Sequence, residues 1–544
     1  MFHKAAPRRP RLIAAIICAN LSPAAVPAWA AAPILYHQAH HETPVAGEPD
    51  DLLLIPGYGF HADDRVVYEA VEGVEGPTHP RDPPQQTTAT RGVADVASSA
   101  GIPYSLTIRL PKVMRADQAY RLWVVTAANE WSGWVQINEP RPLWFSPAFM
   151  YSSVSFASLP RNIKVIGRNL ETTPGAVTQV RLLGPRELTL TAERAPADAA
   201  ALERYVALAR LPDKLEPGSY RVQVRRGESG WIEVAEQQLQ IRPDPVRQSE
   251  FKVDDAEYGG CKANDDQDDV TCVQRAIAAA KAAGGGAVIF GPGTWNLSDL
   301  TLPQPDGILV PEGVSLRGAG KLSTTLLQNT DAKNIAAKAV FTLLGGNVVE
   351  GITFRDAHVY SNASASATVF KLGAQSGEDA HKAGYPDSVD DVIITRNAFD
   401  RPNIAISDSG LPLSRLFITD NEFGAFRGAI ELPGKRFMVN TRFDVRDSVI
   451  AGNVFRPGSY LDIKIRQGTL ASEIGASTRV DFSRNTADGA ATGELYSPAD
   501  PRGWRAAFFW LLNGNQEMLL VSQNTATCTG DKAGDGEAIS YDNN

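Results

Sequence analysis

The chain has 544 residues and a formal charge of −9, with 43% hydrophobic and 21% charged residues, the balance of a folded protein and not of a disordered one. No basic block follows the first dozen residues, so nucleic acid finds no electrostatic footprint. No apolar stretch reaches the ~18 residues a membrane span needs.

The first thirty residues have the layout of an export leader. Lys4, Arg8, Arg9 and Arg11 form a basic start, Leu12 to Leu21 a short apolar run, and Ala28-Trp29-Ala30 a small-residue cleavage site. Cys18 lacks the small residue before it that a lipid anchor requires. Cleavage removes four cations and no acid, moving the charge from −9 to −13. The expected location is secreted or periplasmic. His37, His40 and His41 have a metal-like spacing, but they lie just past the cleavage site, where chains are usually loose.

Residues 33–140 and 141–245 are expected to form two β-sandwich modules. LTIRLPKVMRADQAYRLWVV (Leu106 to Val125) and VALARLPDKLEPGSYRVQV (Val206 to Val224) share Arg-Leu-Pro, a linker, then Tyr-Arg leading into alternating apolar residues. Gly57-Tyr58-Gly59-Phe60 likewise finds a partner in Gly167-Arg168-Asn169-Leu170. Turn signals at this density fit sandwiches of roughly 100 residues. The pattern resembles the immunoglobulin-like IPT/TIG modules of exported bacterial proteins. Trp123, Trp131, Trp134, Trp144 and Trp231 are candidates for a sugar-stacking platform, with sandwich core as the plainer reading.

At Phe251 the texture changes. FKVDDAEYGGCKANDDQDDVTCVQRAIAAAKAAGGGAVIFGPGTW runs to Trp295. Asp268, Asp269 and Thr271 are placed to begin a helix, and Val273, Ala276, Ile277 and Ala280 give it one apolar face. Gly284 to Gly286 stop it, and a short buried strand ends in Gly-Pro-Gly. This order resembles the opening of the pectate-lyase/polygalacturonase-like superfamily, a pectate-lyase-3-like motif. The resemblance implies a right-handed parallel β-helix over 251–544 whose first coil is plugged by the helix. With the modules, the expected fold class is all-β, and the segment after Phe251 is expected to fold by itself.

Cys261, Cys272 and Cys528 have no zinc-type spacing. Cys261 and Cys272 are near enough to bridge in an oxidising compartment, with three buried thiols as the alternative. The acidic run Asp265, Asp266, Asp268 and Asp269 lacks EF-hand spacing and suits a helix N-terminus. Gly318-Ala319-Gly320 has no helix after it, so it is a coil turn and not a phosphate loop.

Beyond it an Asn recurs beside a large apolar residue, at Asn397, Asn421, Asn453, Asn485 and Asn524. Irregular spacings in the twenties and thirties suit a solenoid with loops of varying length. The asparagines are expected to form a ladder at one corner, with Phe filling the interior.

Alternation separates inward from outward residues. Ile404 and Ile406, Ile430, Ile463 and Leu495 serve as inward anchors. Outward positions then hold Asn403, Glu431, Asp462, Lys464, Arg466, Glu494 and Tyr496, the mixture that suits a sugar groove. Glycosidic cleavage needs one carboxyl to protonate the leaving oxygen and a second to activate water or attack. Glu431 and Asp462 form the first candidate pair, with Glu494 as the spare. Asn403, Lys464 and Arg466 would hold substrate and Tyr496 would stack a ring; the plainer reading is a solvated face of inter-rung salt bridges. The polygalacturonase set of Asn-Thr-Asp, Asp-Asp and Gly-His-Gly is absent as a set.

The expected function is hydrolysis of a polysaccharide, with no cofactor. A lyase on a uronic-acid glycan would use Lys464 and Arg466 for the substrate carboxylate and α-proton, with Glu431 and Asp462 binding Ca2+. A third possibility is a non-catalytic polysaccharide-binding or adhesion protein. Gly536 to Asp542 has the pattern of a last coil strand whose open edge is expected to be covered by missing residues or another chain.

Overall fold

The computed structural model describes residues 32–36, 46–71, 91–115, 117–172, 176–194, 204–245, 248–297, 307–328, 339–356, 368–374, 385–400, 404–408, 411–424, 428–433, 445–456, 463–466, 477–488, 507–512, 516–527 and 537–542. The leader, the three N-terminal histidines and Cys528 lie outside them. The chain divides into two compact units, the first closing at Ile137 and the second holding nearly everything from Asn138 onward.

The first unit is an antiparallel assembly of seven strands, ordered Ile34–Leu35, Leu52–Tyr58, Ser105–Arg109, Arg91–Ser98, Arg65–Ala70, Tyr120–Val125, Trp131–Ile137. Strict alternation drives it: Leu53, Ile55, Leu106 and Ile108 face a common core, while Leu52 and Leu54 face outward. Trp123 is buried beside Val67 and Val125, so it is core and not a sugar platform.

The second unit opens with an assembly whose strand order repeats the first one. Asn162–Arg168, Val206–Arg210, Leu188–Glu193, Thr178–Leu183, Gly218–Arg226 and Ile232–Arg242 follow each other as Leu52–Tyr58 through Trp131–Ile137 do. The shared phrases therefore fall on equivalent strands. Gly59 and Asn169 both take left-handed backbone, φ 83° and 54°, a conformation that Gly and Asn tolerate best. Trp144 is buried here, beside Ile166 and Leu520, which removes a second member of the expected platform. Trp231 lies under two guanidiniums, Arg181 at 4.4 Å and Arg225 at 4.7 Å from its ring centre.

From Glu250 the chain winds a right-handed parallel β-helix of three sheets. Helix α1 (Val270–Ala282) enters first, and Val273, Ala276, Ile277 and Ala280 bury its apolar face against Val288, Leu316 and their neighbours. A disulfide joins Cys261 to Cys272 across the turn leading into α1. Gly284 and Gly285, φ 82° and 124°, turn the chain from α1 into Gly286–Phe290, the second strand of the first sheet.

The corner between the first and second sheets takes two residues. The first is left-handed at Arg396, Asp420, Gly452, Arg484 and Gln523, and the second is the recurring Asn. Asn421 shows the ladder in full. Its Nδ2 donates to the Ile394 carbonyl at 2.8 Å and to Asn453 Oδ1 at 3.1 Å. Its Oδ1 accepts from Asn397 N at 3.0 Å and Nδ2 at 3.2 Å. Inside, Phe399, Phe423 and Phe455 stack with centroids 4.9 Å apart at each step, the rung spacing of a sheet.

The β-helix does not stand apart from the second antiparallel assembly. The outer face of the first sheet packs against it: Phe417 meets Phe149 and Phe156 edge-on at 5.2 and 4.6 Å, with Ile393, Val449 and Ala451 in the same cluster. Lys164 reaches over to Asp481 Oδ2 and Ser483 Oγ, each at 2.8 Å, and Ser146 Oγ donates to the same carboxylate at 2.8 Å. The β-helix thus shares both an apolar cluster and a buried ion pair with that assembly. Exterior residues such as Phe417 and Val449 are apolar because a partner layer covers them.

Candidate functional site

Three outer faces are available on a three-sided coil, and the first is occupied by the second antiparallel assembly. The second sheet's outer face carries charges that pair from rung to rung. Arg355 Nε meets Asp400 Oδ2 at 2.7 Å, and Glu422 is shared by Arg456 at 2.9 Å and Lys321 at 3.4 Å. At its corner with the first sheet, Glu350 holds Arg317 at 2.8 Å and also Arg396. Such a face matches the solvated salt-bridge reading. The third sheet remains.

That sheet runs Ile308–Val310, Ala339–Leu343, Thr368–Leu372, Ile404–Asp408, Gly428–Pro433, Ile463–Arg466, Ala507–Leu512 and Glu537–Asp542. Phe341, Phe370 and Ile406 are fully buried in register. Phe370 contacts Phe354 and Phe399 of the second sheet, which fixes this column as inward. Ile430, Ile463, Phe509 and Ile539 take the same register position on the following rungs. The adjoining register column, outward as the sequence alternation has it, is Thr342, Lys371, Ser407, Glu431, Lys464, Trp510 and Ser540.

Glu431 and Lys464 are thus opposed on adjacent rungs, and Arg466 stands opposite Pro433. Asn403, Asp462, Glu494 and Tyr496 lie outside the described residues. The expected register changes in two places. Ile406, not Ile404, opposes Ile430, which brings Ser407 beside Glu431. Phe509, not Leu495, follows Ile463, so the residue after Lys464 is Trp510. A uniform coil of about 32 residues misplaced this rung because the insertion before it is longer. The run Ala507-Phe508-Phe509-Trp510-Leu511-Leu512, rich in β-forming residues, was the signal that identifies it.

The outward column is not open throughout. Thr342 and Lys371 are buried although they alternate with the inward phenylalanines. A buried lysine two rungs from Glu431 was not foreseen, since alternation separates the two faces of a strand but not a covered face from a wet one. Among the described residues no three His, Cys, Asp or Glu side chains converge to hold a metal ion.

No family model and no curated relative matches the chain. Solved structures similar to it include the A-module of the Azotobacter vinelandii mannuronan C-5 epimerase AlgE6, at 13% identity over 53% of this chain and 99% of that one, TM-score 0.22. The Yersinia enterocolitica family 28 exopolygalacturonase is 10% identical over 74% and 86%, TM-score 0.27. The Bacteroides ovatus mixed-linkage glucan SGBP-B is 14% identical over 40% and 48%, TM-score 0.19. At these scores the likenesses assign no activity to this chain.

Proposed function

We propose that the protein is an exported carbohydrate-active enzyme that cleaves glycosidic bonds of a polysaccharide laid along the outward column of the third sheet. The observation that carries this reading is the register Ser407, Glu431, Lys464, Trp510 on successive rungs of the third sheet. It lines up a hydroxyl, a carboxylate, a cation and an indole at steps of about 4.8 Å, the kinds of group that hold and protonate a sugar. Glu431 is assigned as the acid and Asp462, the residue before Ile463, as its partner, with Glu494 held in reserve. Lys464 and Arg466 bind substrate oxygens with Asn403 from the rung before, and Trp510 takes the stacking role first given to Tyr496. Export is supported by the leader pattern and by the Cys261–Cys272 disulfide, which suits an oxidising compartment.

The Glu431–Lys464 opposition also supports a second reading, a lyase in which Lys464 serves the uronate carboxylate or its α-proton. Digestion of a polysaccharide panel, followed both by new reducing ends and by ultraviolet absorbance, separates the two. Reducing ends without absorbance support hydrolysis, and matching absorbance supports elimination. Binding without either product would leave a non-catalytic glycan-binding protein.

A further inference from the structure

The first unit carries an exposed aromatic face that plays no part in the site above. Ile34 opposes Tyr58, and the Tyr36 amide bonds to Pro56 on the same strand pair, so Ile34, Tyr36, Leu52, Leu54 and Tyr58 share the outward side while Leu35, Leu53 and Ile55 fill the core. Tyr104, at the end of this sheet, stands with its ring 5.7 Å from that of Tyr58, tilted by 45°. Three tyrosines are therefore presented together, 46% (Tyr36), 51% (Tyr58) and 61% (Tyr104) exposed. Folding does not require them there, since the core beneath is complete without them. An exposed apolar cluster on a soluble unit marks a contact surface.

We infer that Tyr36, Tyr58 and Tyr104 form a binding site for an uncharged polysaccharide chain, separate from the catalytic column. Pyranose rings present flat C–H faces bordered by hydroxyls. Tyrosine matches both, with a flat apolar ring and a phenol that donates and accepts hydrogen bonds at its rim. The face favours neutral sugar, because none of its six side chains is an Asp, Glu, Lys, Arg or His. The charges beside it, Asp50 with Arg109 at 3.4 Å and Lys112 at 3.8 Å, are engaged with each other. A second copy of the chain is a poor fit: six side chains are few against the roughly 20–30 residues a side of a stable protein interface. The inference extends the proposed function from cleavage to substrate capture, yet it is read by binding alone, so an inactive catalytic column would leave its test intact.

The test is affinity electrophoresis of the full chain through gels holding mixed-linkage β-glucan, xylan or galactomannan, with alginate and polygalacturonate as acidic comparisons. At least one neutral polymer should retard the protein. Tyr58→Ala with Tyr104→Ala should weaken that retardation at least about tenfold with no change in melting temperature, and Tyr58→Phe with Tyr104→Phe should keep most of it. Absence of retardation by any neutral polymer, retardation by acidic polymers alone, or an alanine variant as strongly retarded as the parent would each overturn the inference. So would light scattering that shows a dimer dissociated by the alanine pair, which would make a second copy the occupant.

Discussion

Asp391 and Arg415 occupy the same corner of successive coils and form a two-point ion pair, Nε to Oδ1 at 2.7 Å and Nη2 to Oδ2 at 3.2 Å, although both backbones are left-handed, φ 59° and 53°. Asp447 and Arg479 repeat the arrangement on the next two coils, at 2.6 and 3.0 Å, again left-handed at 51° and 60°. Alternating charge thus secures a corner whose backbone conformation is unfavourable for most residues. The ladder also reaches the antiparallel assembly beside it: Arg242 meets Asp391 at 3.0 Å and Gln237 meets Asp447 at 3.2 Å.

Asp447→Asn removes the charge while keeping a side chain that tolerates the left-handed turn. The expected loss in urea unfolding is about 1–2 kcal/mol, the scale of a charge-assisted pair that is partly exposed to water. A loss within error would show that the ladder only decorates the corner.

The interface between the second antiparallel assembly and the β-helix rests on Lys164 and Asp481, whose carboxylate is almost fully buried. Lys164→Ala would strand that carboxylate, a change worth about 3–5 kcal/mol for buried pairs. The double variant with Asp481→Ala should be more stable than Lys164→Ala alone. If the double variant is the weaker of the two, the stranded charge is not the cause.

The ladder asparagine Asn421 uses all its hydrogen-bonding capacity. Asn421→Ala leaves the Ile394 carbonyl and the Asn397 amide without their partner, at about 1–3 kcal/mol per buried group. Asn421→Asp should do no better, because a carboxylate cannot donate to Ile394 or to Asn453. Thermal melts of the two variants compare them directly, and an aspartate variant near wild-type stability would contradict the ladder geometry.

Burial lifts the Asp269 carboxyl to about 6, against an opposing hydrogen bond from the Asn296 amide and with added repulsion from Asp265 and Asp268. Its Oδ1 is buried without a hydrogen-bond partner. Because the folded value lies above the unfolded one, its contribution is full below about 4 and is lost as pH rises through about 6. Melting temperatures of wild type and Asp269→Asn should therefore diverge in favour of wild type on acidification from pH 7 to pH 5. A constant difference would show that Asp269 does not titrate with folding.

Much of this architecture was legible in the sequence because it is periodic or local. The apolar face of α1 at Val273, Ala276, Ile277 and Ala280 fixes the plug, and the recurring Asn with Phe fixes one corner of the coil. What stayed hidden depends on contacts distant in sequence. Phe417 and Val449 have the look of ordinary strand residues until Phe149 and Phe156 cover them, and no local pattern announces that Asp481 will meet Lys164. Acidic residues before α1 were expected to cap it. Asp268 does accept from the Val270 amide at 3.2 Å, but Asp269 turns instead to the Asn296 amide at 2.7 Å. In the site, alternation placed Glu431 and Lys464 on one face, whereas register from the Phe509 rung, not coil-length arithmetic, brought in Trp510.

Glu431→Gln asks whether Glu431 is the acid of a glycan-cleaving column. Reducing ends released by wild type and variant are compared on whichever polysaccharide wild type cleaves, with thermal melts confirming that both are folded. The expected rate is at least about 100-fold lower for the variant, the scale of a lost general acid, with substrate still bound. A folded Glu431→Gln variant that cleaves at the wild-type rate would contradict it.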